Sequence, residues 1–157
     1  MEYFFSSELP DYVQDTILNS DSKQFGWHTD MEDAALVVTS CAAQVKSGVL
    51  VVAYHKHCVF FLHDYLPGVV MLDSLRGKEA SIFDYLDGAK ELLRYLEDHT
   101  KIHKIVTKTP FKDLIKLQKR VGFVVEGTHK EEYLTTDGSY LDMYSFGYIL
   151  RRDTCPS

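Results

Sequence analysis

Three β-rich runs crowd the middle of the sequence with almost nothing between them. Residues 49–54 and 58–62 are split by His55-Lys56-His57, and Pro67-Gly68 stands just before residues 69–72. Breaks this short suit hairpins, because parallel neighbours need a crossover of about a dozen residues or more. The stretch from Leu50 to Leu72 therefore reads as an antiparallel meander of three strands.

The elements on either side follow from periodicity. Tyr3-Phe4-Phe5 is short and aromatic, which suits a first strand, and Pro10 is placed to open a helix reaching about Leu18. Residues 19–29 carry Ser, Asp and Gly and read as a loop holding Trp27 and His28. Over 31–46 the alanines favour helix and Val37-Val38-Thr39 favours strand; the balance leans to helix. After the meander, Ile82, Leu86, Ala89, Leu93 and Leu96 draw an apolar stripe down one helix. Asp84, Asp87, Lys90, Glu91, Arg94 and Glu97 make its wet side. A strand over 102–107 comes next. Thr109-Pro110 then reads as an N-cap and first-turn proline, with Phe111, Leu114 and Ile115 inward and Gly122 ending the helix. Two further strands flank the turn Asp137-Gly138, and the last runs from Tyr140 to Leu150. The order predicts an α/β or α+β fold, a mixed sheet with helices packed on it.

Composition narrows the class. In 157 residues, 45% are apolar and 25% charged, the balance of a globular protein forming one domain over 1–157. Net charge is −6, from 23 acidic and 17 basic residues, which argues against gripping nucleic acid. Nothing resembles a membrane span or a secretory signal, so no membrane partner is expected. Cys41, Cys58 and Cys155 are three in number without C-x-x-C spacing, which points to a reducing, cytoplasmic setting and away from a cysteine zinc site.

Chemistry could sit at the strand-to-helix joint from Met71 to Ser81. A glycine-bearing turn that opens a helix exposes backbone N–H groups at the positive end of the dipole, which makes an anion site. Arg76 and Lys78 would add charge there, while Glu79 would repel a phosphate. A plain solvated helix start accounts for the same residues.

From Val69 to Leu150 the succession resembles the GNAT superfamily of acetyl-CoA-dependent N-acetyltransferases. Arg76-Gly77-Lys78-Glu79-Ala80 is similar to one form of that family's cofactor loop. The stretch from Leu117 to Gly122-Phe123 resembles its helix ending in Gly-Phe. Val125-Glu126-Gly127 and the residues from Asp137 to Asp142 are similar to the last hairpin of the ribosomal-protein acetyltransferase branch. The resemblance implies a mixed, mostly antiparallel splayed sheet flanked by helices, with acetyl-CoA in the split between the strand ending near Asp73 and the strand at Ile105-Val106. It implies that Met71, Leu72 and Asp73 pair with the pantetheine arm of coenzyme A. Arg76, Gly77, Lys78, Glu79, Ala80 and Ser81 would hold the pyrophosphate. The family's loop usually carries a glycine where Glu79 stands and Gly or Ala where Ser81 stands. Gln118 stands where many members have a tyrosine acid, and Phe111 where an asparagine is common.

Asp73 and His63 are the candidate catalytic residues, Asp73 taking a proton from an amine through water; an Asp that ends a strand and caps the next turn, and a surface-loop His, account for the same residues. Asp64 could face the same cleft. Trp27 and His28 are candidate substrate contacts bordering the acceptor side, or a staple for their loop. His55, His57 and His63 could imitate a metal site, but no carboxylate or thiol completes a shell, so no metal is expected. Lys112, Lys116, Lys119 and Arg120 form either a solvated helix face or a grip for a 3′-phosphate. Tyr140, Tyr144, Phe146 and Tyr148 alternate along the last strand as core or interface, with a homodimer one possibility.

Two functions fit. One is transfer of an acetyl group from acetyl-CoA to a primary amine of a small molecule or protein. The other is a non-catalytic interaction part with protein partners. Small GNAT-like proteins of tailed phages, associated with virion or head assembly, look similar in compactness and in Cys58-Val59-Phe60-Phe61. That reading would place the chain in a host cytoplasm or a virion.

Overall fold

The computed structural model describes residues 1–20, 34–135 and 137–150. Its elements in chain order are β1 (Glu2–Phe4), α1 (Asp11–Leu18), α2 (Ala34–Lys46), β2 (Leu50–His55), β3 (Cys58–Leu66), β4 (Val69–Arg76), α3 (Ile82–His99), β5 (Lys104–Thr109), α4 (Lys112–Val121), β6 (Val124–Leu134) and β7 (Tyr140–Ile149). The strands form one sheet ordered β1-β2-β3-β4-β5-β7-β6. Every neighbouring pair is antiparallel except β4 and β5, which run parallel.

Strand alternation makes two cores. Val59 and Phe61 of β3 face α1 and α2, joining Val13, Ile17, Val38, Cys41, Val45 and Leu75. Phe60 and Leu62 face α3 and α4, joining Leu72, Leu92, Leu93, Leu96, Ile105, Leu117 and Phe146. Conflicting signals over 31–46 resolve as helix from Ala34, because Val38, Cys41 and Val45 recur at helical spacing and are buried.

The meander forms as expected, with three departures nearby. β4 does not end near Asp73 but continues to Arg76, because Leu75 is buried and Arg76 pairs with Cys58 across the sheet. The buried face of α3 is Tyr85, Gly88, Ala89, Leu92, Leu93 and Leu96; Ile82, expected inward, is 41% exposed. α4 begins two positions later than Thr109-Pro110 suggested. Thr109 ends β5, Phe111 is the N-cap residue, and the Thr109 hydroxyl accepts from the Phe111 N–H at 3.2 Å. Gly122 ends α4 at φ 113°, as expected. Along β7 only Phe146 of the four alternating aromatics is fully buried; Tyr140 is 60% exposed.

The parallel pair positions the site. Val69, Val70 and Met71 pair with Lys104, Ile105 and Val106, and there the pairing stops. β5 continues through Thr109 against β7, and β4 continues through Arg76 against β3. The two strands diverge, leaving one edge of β4 without a strand partner beyond Met71.

Candidate active site

A cavity of about 260 Å³ fills the divergence. β4 contributes Met71, Asp73, Ser74 and Leu75; β5 and α4 with its N-cap contribute Thr107, Lys108, Thr109, Phe111, Leu114 and Gln118. Phe61 and His63 of β3, Val37, Cys41 and Gln44 of α2, and Met143 of β7 complete the wall. Residues from both faces of the sheet line one space, so the cavity passes through the sheet plane. Its lining is mainly apolar with a few convergent polar groups, the usual composition of a small-molecule site.

His63 and Asp73 meet here. His63 pairs with Met71 across β3 and β4, so Asp73 lies one diagonal step away on the same face. His63 Nε2 is 3.3 Å from Asp73 Oδ2, screened from solvent, and makes no aligned hydrogen bond. An imidazole nitrogen beside a carboxylate, on the wall of an apolar cleft, is a group able to accept a proton from a ligand. Asp73 lies within β4 and so does not cap the following turn. Asp64 is exposed and outside the cavity.

Sequence reasoning missed a buried polar trio. The Tyr85 hydroxyl lies 2.9 Å from Ser74 Oγ and is also hydrogen-bonded to Gln118. Burial pushes the Tyr85 hydroxyl up, so it stays protonated. Ser74 and Gln118 reach the cavity and carry this hydroxyl's influence to its α4 side. The signal was Tyr85 itself, one position off the apolar stripe drawn from Leu86. Thr107 and Thr109 were also missed; both are buried and line the cleft at alternate positions of β5.

The histidines do not form a metal site. His57 lies in the turn at φ 60°, beyond the end of β2, so it does not share a strand face with His55. His55 Nδ1 faces Glu91, His57 Nε2 faces Glu79, and His63 faces Asp73. No cluster able to hold a metal occurs among the described residues. Lys112, Lys116, Lys119 and Arg120 lie on the exposed side of α4. Trp27, His28 and Cys155 lie outside the described residues.

The loop from Arg76 to Ser81 adjoins the cleft but is occupied by its own chain. The Gly77 N–H donates to the His57 carbonyl at 2.8 Å, and the Ala80 N–H to the Gly77 carbonyl at 3.1 Å. The Ser81 N–H donates to Asp84 Oδ2 at 2.9 Å, while the Asp84 N–H donates to Ser81 Oγ at 3.1 Å. This reciprocal pair is a capping box. Arg76 Nη1 donates to the Ala80 carbonyl at 2.6 Å. Hydrogen bonds from the Ser81 hydroxyl and N–H hold the Asp84 carboxyl below the usual aspartate range, so it is a carboxylate at neutral pH. The N–H groups of Gly77, Ala80 and Ser81 are thus already donating and an anion already caps the helix, which leaves a poor seat for a pyrophosphate. The cleft does fit the narrow, amide-bearing pantetheine arm, alongside the strand edge that β4 leaves unpaired. Among the described residues no helix is long and apolar enough to cross a membrane.

No family model and no curated protein matches the sequence. Solved structures do match over nearly the whole chain. A variant of spermidine N-acetyltransferase from Vibrio cholerae is similar at a TM-score of 0.71 and 15% identity, covering 96% of this chain and 95% of its own. The ribosomal-protein acetyltransferase RimL, in complex with coenzyme A, is similar at 0.68 and 14%, covering 97% and 100%. A GNAT-family acetyltransferase from Bacillus anthracis is similar at 0.65 and 13%, covering 94% and 98%. Identities this low speak for architecture, and they agree with the splayed mixed sheet and its flanking helices: the chain is built on the GNAT acetyltransferase fold.

Proposed function

We propose that this chain moves an acetyl group from a thioester donor to a primary amine in the cleft between β4 and β5. The observation that carries the reading is the His63–Asp73 pair, on the wall of a cavity lined from both faces of the sheet. The donor supplies an activated acyl carbon. The acceptor nitrogen forms a bond to that carbon, the carbon–sulfur bond breaks, and the product thiol takes up a proton. His63 and Asp73 receive the proton that the amine gives up. Proton transfer by a positioned group contributes about 10²–10⁴-fold to such steps. The net charge of −6 favours a cationic acceptor such as a polyamine or a basic peptide. His63→Gln and Asp73→Asn should each lower the rate of thiol release at least about tenfold while leaving donor affinity nearly unchanged. The test is a thiol-release assay with acetyl thioesters and a panel of primary amines; no release above the blank with any amine sinks the reading.

The occupied loop favours a second reading, a non-catalytic GNAT-fold interaction part. Its discriminating result is a folded protein that binds no thioester yet forms a defined complex with a protein partner.

A further inference from the structure

We propose that the donor is recognised through its pantetheine arm alone, so that an acyl thioester lacking the nucleotide binds this cleft as well as acetyl-CoA does. The inference rests on the acyl-transfer reading above and deepens it by naming the part of the donor that is bound.

The argument begins with Gly77. A Cβ at this position would lie 2.9 Å from the His57 carbonyl oxygen and 3.0 Å from Thr16 Cγ2. The glycine is therefore required by the turn between β2 and β3, which packs on the loop and accepts its first N–H. That turn is itself built for the contact: Lys56 and His57 both hold positive φ, at 45° and 60°, a conformation that costs a side-chain-bearing residue energy. The turn's side chains continue the closure. Lys56 Nζ lies 3.7 Å from Asp84 Oδ1, and His57 Nε2 lies 3.4 Å from Glu79 Oε2. Lys56 and His57, the basic side chains of the turn, thus face the loop's own carboxylates.

A pyrophosphate entering this position would displace the Asp84 carboxylate from the helix N-terminus and lie beside Glu79. It would also find the N–H groups of Gly77, Ala80 and Ser81 already donating. The depression between α1 and Lys78 is no cationic seat either, since Asp15 and Glu79 line it together with Lys78 and His57. The pantetheine portion meets none of these obstacles. An extended chain with two amides can pair with an open strand edge as an added strand would, and β4 leaves such an edge facing the cleft beyond Met71.

The test is calorimetric titration of the full chain with acetyl-CoA, S-acetylpantetheine and 3′,5′-ADP. The two thioesters should bind within about threefold of each other, and the nucleotide should neither bind nor compete. Raising salt from about 50 to 500 mM should change acetyl-CoA affinity less than about twofold, since no phosphate contact is there to be screened. Acetyl-CoA binding about tenfold tighter than S-acetylpantetheine, or competition by the nucleotide, overturns this assignment and leaves acyl transfer standing. Absence of binding by both thioesters overturns this assignment and the reading beneath it together. In the double variant Glu79→Gly, Asp84→Ala, acetyl-CoA should gain about tenfold while S-acetylpantetheine stays constant; no gain in a folded variant overturns the role given to the two carboxylates.

Discussion

Gly88 lies within α3, where a glycine ordinarily costs about 1 kcal/mol relative to alanine. Here the usual gain from replacement reverses. A Cβ would lie 3.0 Å from Phe60 Cε2 and 3.2 Å from His55 Cβ, and Phe60 is fully buried with no room to retreat. Gly88→Ala should therefore lower stability by about 1 kcal/mol, the scale of mild overpacking, read from urea unfolding. A more stable variant would mean that the Phe60 ring yields. The same close approach explains what could be seen in the sequence at this scale and what could not. His63 and Asp73 could be singled out as polar residues near strand ends. Gly77 could be noticed but not explained, because its reason is a carbonyl from a turn about twenty positions earlier. Ile82 fits the apolar stripe by spacing yet lies exposed, while Tyr85, which the stripe leaves out, is buried; only tertiary contact separates the two.

The element with the most to show is α3. Its start combines an N-cap serine with Asp84 at the third position, and Asp84 also stands near Lys56. With its folded pKa held below the ordinary 3.8, Asp84 stabilises the fold above that value, and the contribution disappears as pH falls through the lower folded pKa. Asp84→Ala should thus melt at a lower temperature than the parent at pH 7, with the gap closing below pH 3.8. A gap that persists unchanged into strong acid would show that the carboxylate's charge is irrelevant to the cap. Helix starts and strand lengths were the least legible features at this scale. The sequence marks Ser81 as a phosphate contact or part of a solvated helix start rather than as a cap, and it suggests that β4 ends near Asp73, because Asp73 and Ser74, which line the cleft, break the apolar run before the buried Leu75. α4 was easier at its end than at its start. Gly122 is a local signal, whereas Thr109-Pro110 serves a strand and a cap at once.

On the scale of the molecule, element order reached the fold class, a mixed sheet with helices packed on it, and the family resemblance supplied its splayed form. A meander, a helix, a parallel partner strand, a helix and a hairpin leave few ways to build one sheet, and the structure adopts the expected one. The cleft's location followed from the family resemblance. The state of its loop did not, because it depends on a turn that sequence marks only as polar. Burial across both cores also sets an alkaline limit on the whole fold. Loss of hydration pushes the Cys41 thiol from 9.0 up to about 11 and the Cys58 thiol up to about 12. Burial and the nearby Glu91 raise the Tyr3 hydroxyl from 10.0 to about 12. Above pH 9.0 the unfolded chain releases protons that the folded chain keeps, so stability must fall with rising pH. Urea midpoints should decline steadily from pH 9.0 towards 11, and a flat profile over that interval would contradict the burial of the two thiols.

The three register pairs that join β4 to β5 have a mechanical meaning as well. Among the described residues they are the one strand-to-strand link between a four-strand half, β1 to β4, and a three-strand half, β5 to β7. A ligand lodged past Met71 would act as a wedge driven beside a short hinge, and the angle between the two halves is the degree of freedom it would load. Opening by a few degrees at the hinge becomes a wider gape at the mouth near Leu75 and Thr109. The fulcrum of such a lever would be the last register pair, Met71 with Val106.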